Sequence, residues 1–179
     1  MKPLNGQRER RVCAGLIAFG WMAATGAGAG AQERPVVWSV APVTSPVVRG
    51  AVMVVHLTAR IDDGWHMYSI TQGPGGPIRT QITVPTGQPF ALADTIGGPV
   101  VVKRFDPNFG INVEMYDSRA TFAVPVRVLA TAAPGPASLA LTARFQTCNA
   151  TLCLPPHTEK LALPITISAA TVRAASSHL

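Results

Sequence analysis

The sequence predicts an all-β domain, an immunoglobulin-like antiparallel β-sandwich. Three observations carry this reading. Apolar and polar residues alternate with a period of two in four separate stretches, the mark of strands covered on one face and wet on the other. No stretch of residues 32–179 repeats its apolar positions at helical spacing. The Gly and Pro residues of that region fall mostly between the alternating runs, where turns belong.

Taken in chain order, residues 36–40 (Val-Val-Trp-Ser-Val) are a first strand candidate. In 53–61 the odd positions Met53, Val55, Leu57, Ala59 and Ile61 are all apolar, and the even ones turn polar. Residues 65–70, 80–84 and 100–104 are shorter candidates, with Gly73-Pro74-Gly75-Gly76-Pro77 as a turn between the first two. Ala120, Phe122, Val124, Val126 and Val128 then alternate with Arg119, Thr121, Ala123, Pro125 and Arg127. After Pro134-Gly135-Pro136, Leu139, Leu141, Ala143 and Phe145 alternate with polar or small residues, as do Leu161, Leu163, Ile165 and Ile167. Pro125 and Pro164 occupy outward positions within their runs, which predicts edge strands, because proline donates no ladder hydrogen bond. Seven or eight short antiparallel strands in about 140 residues fit one sandwich, and the tail from residue 169 is expected to fray.

The N-terminus decides which residues belong to the fold. Lys2, Arg8, Arg10 and Arg11 stand against a single Glu9, and residues 12–31 carry no charge. The apolar run then gives way to small residues ending in Ala29-Gly30-Ala31. A basic start, a short apolar run and an A-x-A site make a secretory signal peptide over residues 1–31, cleaved after Ala31. An uncleaved anchor is the competing reading, but its second half, mostly Gly, Ala and Thr, is weakly apolar. Arg10-Arg11 is a minimal twin-arginine pattern. Cys13 leaves with this segment.

The expected mature domain, residues 32–179, keeps 11 Lys and Arg against 8 Asp and Glu, a net charge of +3. It has no basic run, which argues against nucleic acid as a partner, and no apolar stretch of membrane-spanning length. Its two cysteines, Cys148 and Cys153, would face an oxidising compartment after export, where a nearby pair forms a disulfide unless something reduces it.

The informative segment is Phe145-Gln146-Thr147-Cys148-Asn149-Ala150-Thr151-Leu152-Cys153-Leu154-Pro155-Pro156-His157. Alternation places Phe145 inward and Gln146 outward; one step further it places Cys148 on the solvent side of the strand end. Cys153 follows after a four-residue loop, so the pair is expected in a hairpin-like turn near the surface. A staple for this turn is one reading. Closing a loop of about six residues stabilises by only about 2 kcal/mol, against nearly 5 for about 100 residues. A redox site is the other, since short exposed disulfides exchange readily. A soft metal held by Cys148, Cys153, His157 and His66 or a Met is a third, although the spacing matches no zinc motif; no cofactor or metal is expected. The residues alone leave staple and redox site open.

Phe-Gln-Thr-Cys-Asn-Ala-Thr-Leu-Cys-Leu-Pro-Pro resembles the active-site segment of the N-terminal periplasmic domain of DsbD, the thiol:disulfide interchange protein. Asp63-Gly64-Trp65-His66-Met67-Tyr68-Ser69 resembles that family's Gly-aromatic strand facing the cysteines. Phe105-Asp106-Pro107-Asn108-Phe109-Gly110, with Glu114-Met115-Tyr116, resembles its cap loop and the strand after it. The resemblance runs from about residue 36 to 167. It implies an immunoglobulin-like sandwich in the envelope of a Gram-negative-type bacterium, with Cys148 and Cys153 as the redox pair and Cys153 facing partners. It also implies that Phe105 or Phe109 is an aromatic cap over the sulfurs, and that Asp106, Glu114, Tyr68 and His66 supply polar groups beside them. The loop between the cysteines is one residue shorter than in the best-known enterobacterial member.

The expectation is a free-standing periplasmic reductant or electron shuttle acting on periplasmic thiol–disulfide proteins. It would draw electrons from a separate membrane donor of the DsbD or CcdA type. The alternative is a non-enzymatic β-sandwich binding module with a structural disulfide.

Overall fold

The structure, a computed structural model, describes residues 33–171. The expected signal peptide and its cleavage site lie outside them.

The described residues form twelve strands and no helix: β1 (Val36–Val40), β2 (Val47–Arg49), β3 (Val52–Ile61), β4 (His66–Tyr68), β5 (Gln81–Thr83), β6 (Phe90–Leu92), β7 (Val102–Asp106), β8 (Ile111–Asp117), β9 (Arg119–Val128), β10 (Gly135–Phe145), β11 (Thr147–Cys148) and β12 (His157–Thr171). One sheet runs β1-β3-β9-β6 and a second β2-β12-β10-β5; a third, β11-β4-β8-β7, carries the cysteines. The neighbours pair antiparallel except β2 with β12.

The long alternating runs pair as their pattern requires. β3 and β9 lie in register with Leu57 opposite Phe122 and Val55 opposite Val124. β10 and β12 do the same, with Leu139 opposite Leu163 and Leu141 opposite Leu161. The inward faces of these two sheets fill one core, in which Trp38 stacks on Phe122 at 5.7 Å and lies 5.6 Å from Phe145. Burying a side chain such as Phe122 or Leu139 stabilises by about 1.5–3 kcal/mol. A few such residues together outweigh the about 2 kcal/mol of a six-residue disulfide loop, so the fold does not depend on the disulfide. It is an immunoglobulin-like sandwich, as the alternation predicted.

The expected edge strands need correction. β9 lies between β3 and β6, and β12 between β2 and β10. Both prolines nevertheless sit where their missing N–H meets no ladder partner. The Pro125 carbonyl accepts from Ala93 N at 2.8 Å, just beyond the last paired residue of β6, Leu92. Pro164 lies before Ile167, where β2 first pairs with β12. Proline therefore marks a local gap in the neighbouring strand rather than the edge of the sheet.

The alternation passed over the short strands β2, β6 and β11, because three residues or fewer show no period. β8 was legible only through the Glu-Met-Tyr resemblance.

Candidate functional site

The cysteines are brought together by backbone pairing. The Leu154 amide donates to the Thr147 carbonyl and the Asn149 amide to the Leu152 carbonyl, both at 2.9 Å. These bonds flank Cys148 and Cys153 and make them a non-hydrogen-bonded antiparallel pair, the position at which opposed Cα atoms lie closest, near 4.5 Å. The observed Cα separation is 4.1 Å, and a disulfide joins the two sulfurs. Asn149 shapes the intervening turn: its Oδ1 accepts from Thr151 N at 2.9 Å and Leu152 N at 2.8 Å, a local bond that asparagine makes readily.

Cys148 is fully buried, contrary to the solvent-side position that alternation predicted, whereas Cys153 is only partly buried. The alternation fails because the chain changes sheets. β10 ends at Phe145, and the next two-residue strand pairs with β4, Thr147 opposite Met67 and Cys148 opposite His66. Gln146 turns half-inward at the crossing, where its Oε1 accepts from Ile78 N at 2.9 Å. The hairpin itself is as expected.

The third sheet is packed on both faces. Met67 and Tyr116 join the main core, while Tyr68, Val113, Met115 and Cys148 form a second apolar cluster with Phe109 and Cys153 packed against it. The Phe109 ring meets Tyr68 edge-on at 5.9 Å.

Phe109 belongs to the turn between β7 and β8. The Asp106 carbonyl accepts from Phe109 N at 3.3 Å and Gly110 N at 2.8 Å. Gly110 takes φ +68°, which a side chain would disfavour. The Asp106 carboxylate is buried. Its Oδ1 accepts from Asn108 N at 2.8 Å, and its Oδ2 from the Tyr68 hydroxyl at 2.5 Å. His66 Nε2 lies 3.3 Å from that hydroxyl and 3.4 Å from Oδ2.

Burial alone would raise the Asp106 pKa, but the bonds from Tyr68 and Asn108 prevail and hold it below the usual carboxylate value. Burial holds the His66 imidazole below its ordinary value, although Asp106 pulls the other way. Burial, then the bond to Asp106, raises the Tyr68 phenol. The trio thus rests as a carboxylate, a neutral phenol and a largely neutral imidazole at neutral pH.

The structure therefore brings Cys148, Cys153, Tyr68, His66, Asp106 and Phe109 together. Glu114 and Phe105 are placed differently. Val113 and Met115 face the cysteine cluster, so Glu114 between them points the other way. It binds Lys103 Nζ at 3.0 Å and accepts from Thr71 Oγ1 at 2.6 Å, and those bonds keep its pKa low. Phe105 is 61% exposed and lines a small cleft of about 200 Å³ with His66, Pro107 and Ala150. His157 pairs with Glu159 at 3.4 Å and packs on Phe145. Sequence reasoning passed over Val113 and Met115 as the floor beneath Cys148, although their i, i+2 spacing was a usable signal.

The family described as "Thiol:disulfide interchange protein DsbD, N-terminal" matches residues 37–165. Among solved structures, the N-terminal domain of DsbD from Neisseria meningitidis in the reduced form is 20% identical, with TM-score 0.43, covering 63% of this chain and 77% of that one. A family 123 glycoside hydrolase from Clostridium perfringens is 8% identical, with TM-score 0.32, covering 74% of this chain and 27% of that one. No curated protein matches. A family match over most of the described sandwich, with the disulfide inside it, places the chain in the family of DsbD N-terminal thiol:disulfide interchange domains.

Proposed function

We propose that this domain is a periplasmic thiol–disulfide exchange protein that passes electrons from a membrane donor to envelope proteins through Cys148 and Cys153. The observation that carries this reading is the asymmetry of the disulfide, with one sulfur-bearing residue buried against Tyr68 and Met115 and the other partly open. In the reduced domain, the Cys153 thiolate attacks a partner disulfide and forms a mixed disulfide, and the displaced partner sulfur takes up a proton. Cys148 then loses its proton and attacks the Cys153 sulfur, which releases the partner as a dithiol and restores the Cys148–Cys153 bond. Two electrons have passed to the partner. A dithiol on the membrane donor reverses the sequence and is itself oxidised. Phe109, seated on the cluster, acts as the cap, and Tyr68, His66 and Asp106 anchor its loop.

The reduction potential tests the proposal. Equilibration with glutathione should give a value within about −120 to −270 mV, the range of exchange proteins. One below about −300 mV marks an inert staple and returns the domain to a binding module. In cells lacking the membrane donor, thiol trapping should show the pair accumulating as the disulfide.

A further inference from the structure

The turn that carries Phe109 is joined to the cysteine hairpin by one side-chain amide. Asn108 Nδ2 donates to Asp106 Oδ1 at 3.1 Å within its own turn, and to the Asn149 backbone carbonyl at 3.0 Å across to the hairpin. Among the described residues this is the one hydrogen bond between the two loops. Both acceptors are oxygens, so the amide must present its nitrogen to them, and both of its N–H groups are used. The hairpin is built to receive it. In a turn of this kind the Leu152 amide would ordinarily bond the Asn149 carbonyl; here it bonds the Asn149 side chain instead, and the carbonyl is left for Asn108.

We infer that Asn108 is a positioning residue for exchange: it latches the Phe109 turn to the Asn149 carbonyl and so controls access to Cys153. The inference rests on the exchange reading for its meaning, but not for its test. With the latch closed, Phe109 stays packed on the cluster that holds Cys148 and Cys153. With it open, the turn keeps its own shape through the Asp106 bonds and can move as a unit. The latch bond is exposed and ends on the cysteine hairpin, outside the core, so its loss changes access more than stability.

The test is the rate at which tris(2-carboxyethyl)phosphine reduces the oxidised protein, expressed as variant over wild type. Asn108→Ala should react about three- to tenfold faster, the factor that the loss of one net hydrogen bond of ordinary strength carries. Asn108→Asp keeps the shape but sets a carboxylate against the Asp106 carboxylate and the Asn149 carbonyl. It should be at least as fast near neutral pH. Its ratio should fall toward one at about pH 4, where its protonated carboxyl can again donate to Asn149. Restoration by a proton separates the charge and hydrogen bonding of this side chain from its bulk. A ratio of one for Asn108→Ala, or a ratio for Asn108→Asp that ignores pH, overturns the latch. The wild-type reduction potential decides the exchange reading separately, because the ratio reports access whether or not the disulfide is redox-active in cells.

Discussion

The Tyr68 hydroxyl donates a 2.5 Å hydrogen bond to the Asp106 carboxylate, joining β4 to the turn that carries Phe109 across 38 residues of sequence. Both side chains are buried, so water cannot replace either partner if the other is removed. Tyr68→Phe keeps the ring beside Cys148 and Phe109 but leaves Oδ2 short of a donor, and should cost about 1–3 kcal/mol at neutral pH. Asp106 has a depressed pKa, so its contribution is present above the unfolded carboxylate value, near 3.9, and is lost as pH falls through the folded value. The gap between wild type and Tyr68→Phe in urea unfolding should therefore narrow at low pH. A gap that stays constant would show that the ring's packing, not the bond, was lost.

His66 supplies the opposite limb of the same trio. Its folded pKa lies below the ordinary 6.5, so the folded state holds its proton less tightly than the unfolded chain does. The stability this represents is complete above about pH 6.5 and declines as pH falls below it. Thermal unfolding of the wild type should weaken over that interval, and His66→Gln, which does not titrate, should lack that part of the slope. Identical slopes would remove His66 from the account.

Phe109 and Phe105 are close in sequence but differ in setting, one packed on the cysteine cluster and the other exposed. Phe109→Ala should speed alkylation of the reduced thiols several-fold by opening the route to them. Phe105→Ala should leave the rate near wild type. The measurement is iodoacetamide trapping at matched pH, and the reverse ranking would transfer the cap role to Phe105.

The two sulfurs should behave differently in cells. Cys148 sits in an apolar cluster, where a serine hydroxyl without a partner would cost about 1–3 kcal/mol, so alanine is the cleaner replacement. Cys148→Ala should accumulate mixed disulfides through Cys153 because nothing remains to resolve them. Cys153→Ser should accumulate few. Both should stay folded, since the lost loop constraint is only about 2 kcal/mol. Non-reducing gels of envelope extracts read the result, and an absence of adducts from both variants would leave the staple as the better account.

Export makes a separate prediction, resting on the uncharged segment and Ala29-Gly30-Ala31. Mass spectrometry of protein recovered from the envelope should find an N-terminus at Gln32. An intact Met1 would point to an anchor instead.

The sequence by itself determined the sandwich and its core. β3, β9, β10 and β12 are ten or more residues long and carry the two-residue period over seven residues or more, and a one-residue slip would turn every apolar side chain outward. The cysteine segment determined the closed hairpin, which four intervening residues suit, and left staple and exchange open. Only the tertiary structure decided what surrounds the sulfurs. Alternation failed at Gln146 because the strand it belonged to ended and the chain passed to another sheet, which buried Cys148. Phe109 and Phe105 are both aromatic residues of the same cap segment; which one meets the cluster follows from how β7 pairs with β8. Asn108 and Asn149, 41 residues apart, meet because the third sheet sets β11 and the β7–β8 turn against the same cluster. Local pattern carries strand and face over a long run, but a contact between two loops depends on where whole sheets place them.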